Sequence, residues 1–256
     1  MLPNLTAIRG GAEYWQVEED NFIVNALLSC PSSSFRVISD CGIGATFQMG
    51  ALSFIEGSSS TLEALQVSVA ERMDEDLDLS DAPPLSPPVV DFPSLRYIII
   101  QFLFPTGSLP IPLASSRWNL PVLQTLRTNA SPSLLPILSL HGSKLRQLGL
   151  RSQDSDDHQT YEACFDLCPN LQTFAWQVWE SHGQEEEEES DTPVAFNFEK
   201  PVFSVQTITI AHGGVRFRGC RVPSRVSLIV PQTVNKTNFP SLRRVSFGSE
   251  DAISDA

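Results

Sequence analysis

A short apolar pattern returns along the chain and constrains its fold more than any other feature. The pattern has an anchoring Leu or similar residue, an apolar residue three positions later, and another apolar residue two positions after that. Clear copies begin at Leu62, Leu95, Leu145, Leu171, Val205 and Leu242, and weaker copies begin at Leu5, Phe35 and Leu123. The anchors lie about 30 residues apart on average. A period in the range of roughly 20–50 residues predicts a solenoid in which each repeat adds one short strand.

The segments between the anchors predict the other half of each repeat. Short helices are expected there, including helices over 132–140 and 157–167. Ser131 suits the cap of the first of these, Pro132 its first position and Gly142 its exit. Parallel strands require crossover connections of this kind. We therefore expect an α/β fold, an irregular leucine-rich-repeat solenoid (horseshoe) of about 8–9 units with parallel strands on its concave face. The alternative is an ordinary α/β domain with leucine-rich strands.

Composition sets the domain plan and excludes several partners. The 256 residues are 41% hydrophobic, which is enough for a packed core, and the net charge of −13 argues against nucleic-acid or membrane binding. We expect a single repeat domain over 1–256, interrupted by acidic, disordered loop insertions at 71–91 and 180–193. Residues 250–256 are expected to form a flexible tail.

The chain also predicts its compartment. No apolar run approaches the length of a membrane span, and the N-terminal residues lack the apolar segment of a secretory signal. The five cysteines form an odd and sparse set, which favours reduced thiols. These features predict a cytoplasmic or nuclear protein.

Several strand anchors share a short motif in which Pro precedes the anchoring Leu. The copies are LPNLTAI (2–8), FPSLRYI (92–98), LPVLQTL (120–126), CPNLQTF (168–174) and FPSLRRV (239–245). Together with the link SLLPILSLHGSKLRQLGL (133–150), they make the chain resemble the leucine-rich-repeat region of fungal F-box proteins. The resemblance implies a non-catalytic subunit that recruits protein targets to a cullin-type (SCF) ubiquitin ligase. A cullin-ligase adaptor is an expected partner only if an F-box precedes this chain. A plain leucine-rich-repeat scaffold with no ligase link is the alternative.

The motifs that could carry chemistry are better explained by structure. Cys164 and Cys168, with His158 nearby, could bind a metal, but a closed zinc site needs four ligands and both cysteines suit small buried positions. Gly42 and Gly44 lack the Lys-Ser/Thr signature of a phosphate loop, and no Gly-x-Ser-x-Gly motif supports a nucleophilic triad. We predict no enzyme activity, no catalytic residue, no bound metal and no cofactor. A hydrolase is the alternative from another class.

The residues between the apolar strand positions are predicted to line the concave face. At the third, fifth and seventh positions of each repeat, with the anchor counted as the first, the chain carries no Asp or Glu. A polar, arginine-bearing face of this kind is typical of protein recognition. The predicted partner-binding residues are Arg9, Tyr97, Gln101, Arg127, Asn129, Gln147, Arg151, Gln177 and Arg244.

Positive charge is concentrated near the C-terminus. From Lys200 to Ser249 the chain has eight basic residues and no acidic one, including a basic patch of Arg216, Arg218, Arg221 and Arg225. Arginine favours bidentate contacts with carboxylate and phosphate groups. We therefore expect a protein target that offers an acidic or phosphorylated segment. The alternative is a solvated basic face that only offsets the acidic loops.

Overall fold

The anchors of the repeats are among the most deeply buried residues of the protein. Phe35 is 1% exposed, Leu242 is 7% exposed, and the anchors from Leu62 to Val205 are fully buried. The computed structural model describes residues 7–9, 35–43, 55–69, 89–102, 117–130, 134–152, 158–179, 198, 200–213 and 233–248. Burial of every described anchor confirms that the apolar pattern marks the core.

The chain forms two compact units, Met1–Gln124 and Thr125–Ala256. The first unit contains β1 (Ala7–Arg9), β2 (Val37–Ile43), β3 (Ala64–Val69), β4 (Val90–Asp91), β5 (Tyr97–Phe102) and β6 (Trp118–Asn119). Strands β1, β2, β3 and β5 pair in that order, and each described pair is parallel. Strands β4 and β6 form a separate parallel pair.

The second unit repeats the same plan with better-defined helices. It contains β7 (Thr125–Asn129), α1 (Leu135–His141), β8 (Gln147–Ser152), α2 (His158–Leu167), β9 (Thr173–Trp179), β10 (Thr207–Gly213) and β11 (Arg244–Gly248). Its strands pair in chain order from β7 to β11, all parallel. The prediction of an α/β fold with parallel strands is therefore confirmed.

Backbone hydrogen bonds set the register at the start of each strand. The N–H groups of Gln172 and Thr173 donate to the carbonyl of Arg146 at 2.9 and 3.0 Å. Those of Gln206 and Thr207 donate in the same way to Gln172, at 2.9 and 3.0 Å. Because the same pair of hydrogen bonds recurs where the next strand begins, equivalent positions of successive strands lie side by side.

Alternation along the strands then separates two faces. Leu126, Leu148, Phe174 and Ile208 align on one face, and each is at most 4% exposed. On β11 the corresponding Val245 is 38% exposed. The opposite face of each unit's sheet carries the third, fifth and seventh positions of the repeats, and we call it the polar face.

Two details differ from the sequence predictions. Val90 and Asp91, the last two residues of the insertion predicted at 71–91, form β4 and pair with β6. Residues 71–88 of that predicted insertion lie outside the described residues. Gly142 follows α1 as predicted, but its φ of −58° is right-handed, so positive φ is not why glycine is needed. A Cβ there would lie 2.4 Å from the carbonyl oxygen of Leu167, so glycine permits the close approach of α2. Ser131, Pro132, the insertion at 180–193 and the tail at 250–256 lie outside the described residues.

Candidate protein-binding face

The polar face of the second unit brings together four residues that the sequence predicts as partner contacts. Arg127 on β7 aligns with Gly149 on β8, and Asn129 aligns with Arg151 two positions further along. Gln147 lies at the start of β8 on the same face. Adjacent strands are about 4.8 Å apart, so these side chains form one local cluster.

Arg127 crosses the neighbouring strand at Gly149. A Cβ built on Gly149 would lie 2.7 Å from Cγ of Arg127 and 3.3 Å from its Cβ and Cδ. Any larger residue at 149 would therefore displace the aliphatic stem of the arginine. Glycine makes room for the stem, which leaves Arg127 half-buried.

The charge of Arg127 is shielded from water without being neutralised. Desolvation by burial lowers the pKa of Arg127. Within the described part of the chain its guanidinium makes no hydrogen bond or ion pair. A partly buried guanidinium without a partner gains more binding free energy from a bidentate contact with a carboxylate or phosphate than a fully solvated guanidinium does.

Asn129 does not present the surface that the sequence predicts. It is 5% exposed, and its Oδ1 is buried without a hydrogen-bond partner among the described residues. Thr125, on the same strand, is 4% exposed and donates from Oγ1 to Oε1 of Gln147 at 3.3 Å. The exposed part of the cluster therefore consists of Arg127, Arg151 and Gln147, which are all partly exposed, whereas Asn129 is buried.

The remaining predicted contacts are not part of this cluster. Arg244 is exposed at the start of β11, three strands from β8 and thus about 14 Å away. In the first unit, Tyr97 is 46% exposed at the start of β5. Arg9, Gln101 and Gln177 belong to β1, β5 and β9, but their side chains lie outside the described residues, as do Arg216, Arg218, Arg221 and Arg225.

A shielded ion pair in the first unit carries no signal in the sequence. Nη2 of Arg117 lies 2.7 Å from Oε2 of Glu56, and the two side chains are 19% and 14% exposed. The indole Nε1 of Trp118 donates to the other oxygen of Glu56 at 3.1 Å. Glu56 and Arg117 are 61 positions apart, so no local pattern indicates that they meet.

The described cysteines have the properties of core residues. Cys164 and Cys168 are reduced thiols that are 1% and 0% exposed, as the sequence predicts for small buried positions. Desolvation raises the pKa of Cys168 from 9.0 to about 12, so this thiol is protonated at neutral pH and is a poor nucleophile. No group of three or more potential metal ligands is found among the described residues.

Comparisons with family models, with curated proteins and with solved structures find no match to this chain. In the described part of the chain, no helix has both the length and the apolar character needed to cross a membrane.

Proposed function

We propose that this protein is a non-catalytic recognition module, a leucine-rich-repeat solenoid that binds a protein target through the polar face of its sheet. The buried anchors and the recurring backbone register support the repeat architecture. In such a solenoid the polar face is the concave surface, which is the usual binding surface of repeat proteins. The target segment is acidic or phosphorylated.

The proposal rests on Arg127, whose guanidinium is partly buried and has no hydrogen-bond or ion-pair partner among the described residues. Burying a charge without a partner costs free energy, and an incoming anion recovers that cost on binding. Arg151 lies on the adjacent strand, two positions beyond the residue opposite Arg127. Two arginines at this spacing can hold a carboxylate or phosphate between them, and none of the polar-face positions carries an acidic residue that would compete.

The biological setting that fits this module is target recruitment for a cullin-type ubiquitin ligase in the cytoplasm or nucleus, as the resemblance to F-box repeats implies. The alternative is a plain scaffold. Affinity purification from the native cell separates the two proposals. Recovery of cullin and adaptor subunits supports the ligase role, whereas recovery of other proteins alone supports the scaffold.

Binding of defined peptides tests the charge preference directly. The probes are fluorescein-labelled peptides of one sequence that carry a phosphoserine, a glutamate or a serine at the central position, and the readout is fluorescence anisotropy. We expect the phosphorylated and acidic peptides to bind more tightly than the serine peptide, with affinity falling as salt concentration rises.

Arginine variants locate the binding site. Desolvated, charge-assisted contacts contribute about 1.5–3 kcal/mol. Arg127→Gln and Arg151→Gln should therefore each lower the affinity for the phosphopeptide about tenfold or more. Arg36→Gln is the matched control, because Arg36 is 65% exposed and already lies 3.4 Å from Glu63 in the first unit. If both variants bind the phosphopeptide as the parent does, the polar face is not the binding site.

A further inference from the structure

A groove beside α2 forms a second candidate binding site, separate from the polar face. It has a volume of about 290 Å³. One wall is the face of α2 that carries Glu162 and Asp166, Phe165 lies between the walls, and residues 200–204 form the other wall. None of these residues belongs to a strand, so the groove does not share the cluster around Arg127.

Packing and hydrogen bonding hold the second wall in place. The ring of Phe198, which also lines the groove, lies 5.4 Å from that of Phe165 and 5.4 Å from that of Phe239, both edge-on. The N–H of Val202 donates to the carbonyl of Asn238 at 2.7 Å. The groove is therefore already formed without a ligand, so a ligand would not have to order its walls.

Phe203, on the same wall, exposes most of its aromatic side chain to water. It is 66% exposed, whereas Phe165 and Phe239 are 6% and 1% exposed. An exposed aromatic side chain beside a groove can bury apolar area against a ligand, and such residues contribute much of the binding energy of protein interfaces.

The charges around the groove select the sign of the ligand. Glu162 and Asp166 lie one helical turn apart, so both carboxylates are on the same wall. Asp166 makes no hydrogen bond or ion pair in the described part of the chain, and neither does Lys200 on the opposite wall. Among the described lining residues there are two carboxylates and one ammonium group, and this excess of negative charge favours a cationic ligand.

We propose that this groove binds a peptide segment of a partner protein in which an aromatic or large aliphatic side chain stands next to Arg or Lys. The apolar side chain packs against Phe203, and the basic side chain lies along the wall that carries Glu162 and Asp166. A ligand of this chemistry is opposite in charge to the acidic segment expected on the polar face, so the two sites can be tested independently.

Titration of the full chain with a capped peptide of sequence Gly-Arg-Phe-Arg-Gly tests the proposal, with calorimetry as the readout. We expect binding that is lost when both arginines are replaced by glutamate. Phe203→Ser should lower the affinity for the peptide about tenfold, as expected for an aromatic residue that anchors an interface. Leu140→Ser is the matched control, because Leu140 is also a large exposed side chain, 48% exposed, but lies on α1.

The charged residues supply a test of sign that a folding defect cannot imitate. Exposed ion pairs contribute under about 1 kcal/mol. Asp166→Asn should therefore lower the affinity for the peptide by up to about fivefold, and Lys200→Ala should raise that affinity by a similar factor. Arg127→Gln should leave this affinity unchanged. The proposal is wrong if the glutamate peptide binds equally well, if both charge variants bind like the parent, or if light scattering shows that the parent chain is a dimer and that Phe203→Ser converts it to a monomer.

Discussion

Arg117 in the first unit and Arg127 in the second are both shielded from water, yet the protein treats their charges differently. Arg117 lies 2.7 Å from Glu56, whose other oxygen accepts a hydrogen bond from Trp118. Arg127 lies over Gly149 and has no carboxylate partner in the described structure. The comparison shows that folding places a carboxylate beside one shielded guanidinium and, among the described residues, places none beside the other.

Cys168 shows a third way to bury an ionisable group. Its thiol is fully buried, and desolvation keeps it neutral by raising its pKa to about 12. A thiol can avoid the cost of burial by keeping its proton, whereas arginine remains charged at any ordinary pH. A carboxylate partner or an external anion can offset the cost of burying a guanidinium.

The largest expected effect comes from making the same substitution at both arginines. Arg117→Met leaves the shielded carboxylate of Glu56 without its cation and should lower the free energy of unfolding by about 3 kcal/mol. Arg127→Met removes a charge that has no partner in the described part of the chain, so it should change stability by less than about 1 kcal/mol. Chemical denaturation of both variants measures the difference. Arg36→Met is the control for an exposed pair and should also cost under about 1 kcal/mol. Equal losses at Arg117 and Arg127 would remove the distinction between the two sites.

The second prediction concerns the space that Gly149 leaves for Arg127. Gly149→Ala places a methyl group 2.7 Å from Cγ of Arg127, so it should destabilise the second unit by about 2 kcal/mol and weaken binding of the phosphopeptide. In the Arg127→Ala background the same change should cost much less, because the crowded atoms are gone. A double-mutant cycle measures this coupling. Additive losses would show that Gly149 and Arg127 do not act together.

The smallest expected effect is the pH dependence that Cys168 contributes. Below about pH 9 the thiol is protonated in both the folded and the unfolded chain, so its full contribution to stability is present. As pH rises from 9 towards 12 the unfolded chain releases the proton while the folded chain retains it, and stability falls. At pH 10 the loss should be about 1.4 kcal/mol. Cys168→Ala should show a shallower decline between pH 9 and 10, and an unchanged slope would contradict the raised pKa.

Local patterns were sufficient to predict the parts of the fold that repeat. The anchors and the strands that follow them could be predicted because an apolar alternation with a recurring spacing depends only on nearby residues. Helix α2, found at His158–Leu167, falls within the predicted 157–167 for the same reason. The predicted α1 began at Pro132, whereas the described helix begins at Leu135 and contains Pro136 in its first turn. Helix boundaries depend on the packing around them, which sequence patterns do not contain.

The candidate site was predictable only in part. Arg127, Gln147 and Arg151 could be assigned to one face because residues two positions apart on a strand point the same way. The burial of Asn129 could not be predicted, because it depends on the side chains that surround it on neighbouring strands. The groove beside α2 also escaped prediction, since residues from 162 to 204 reach it through separate elements.

The sequence by itself determined the repeat period, the buried anchors and the parallel strands, because each of these follows from the spacing of apolar residues along the chain. Tertiary structure alone decided which charged side chains have a partner of opposite charge. It brought Glu56 to Arg117 across 61 positions, and it left Arg127 over Gly149 with no carboxylate beside it among the described residues. The physical reason is that hydrophobic burial depends on the residue type, whereas the cost of a charge depends on which groups surround it after folding.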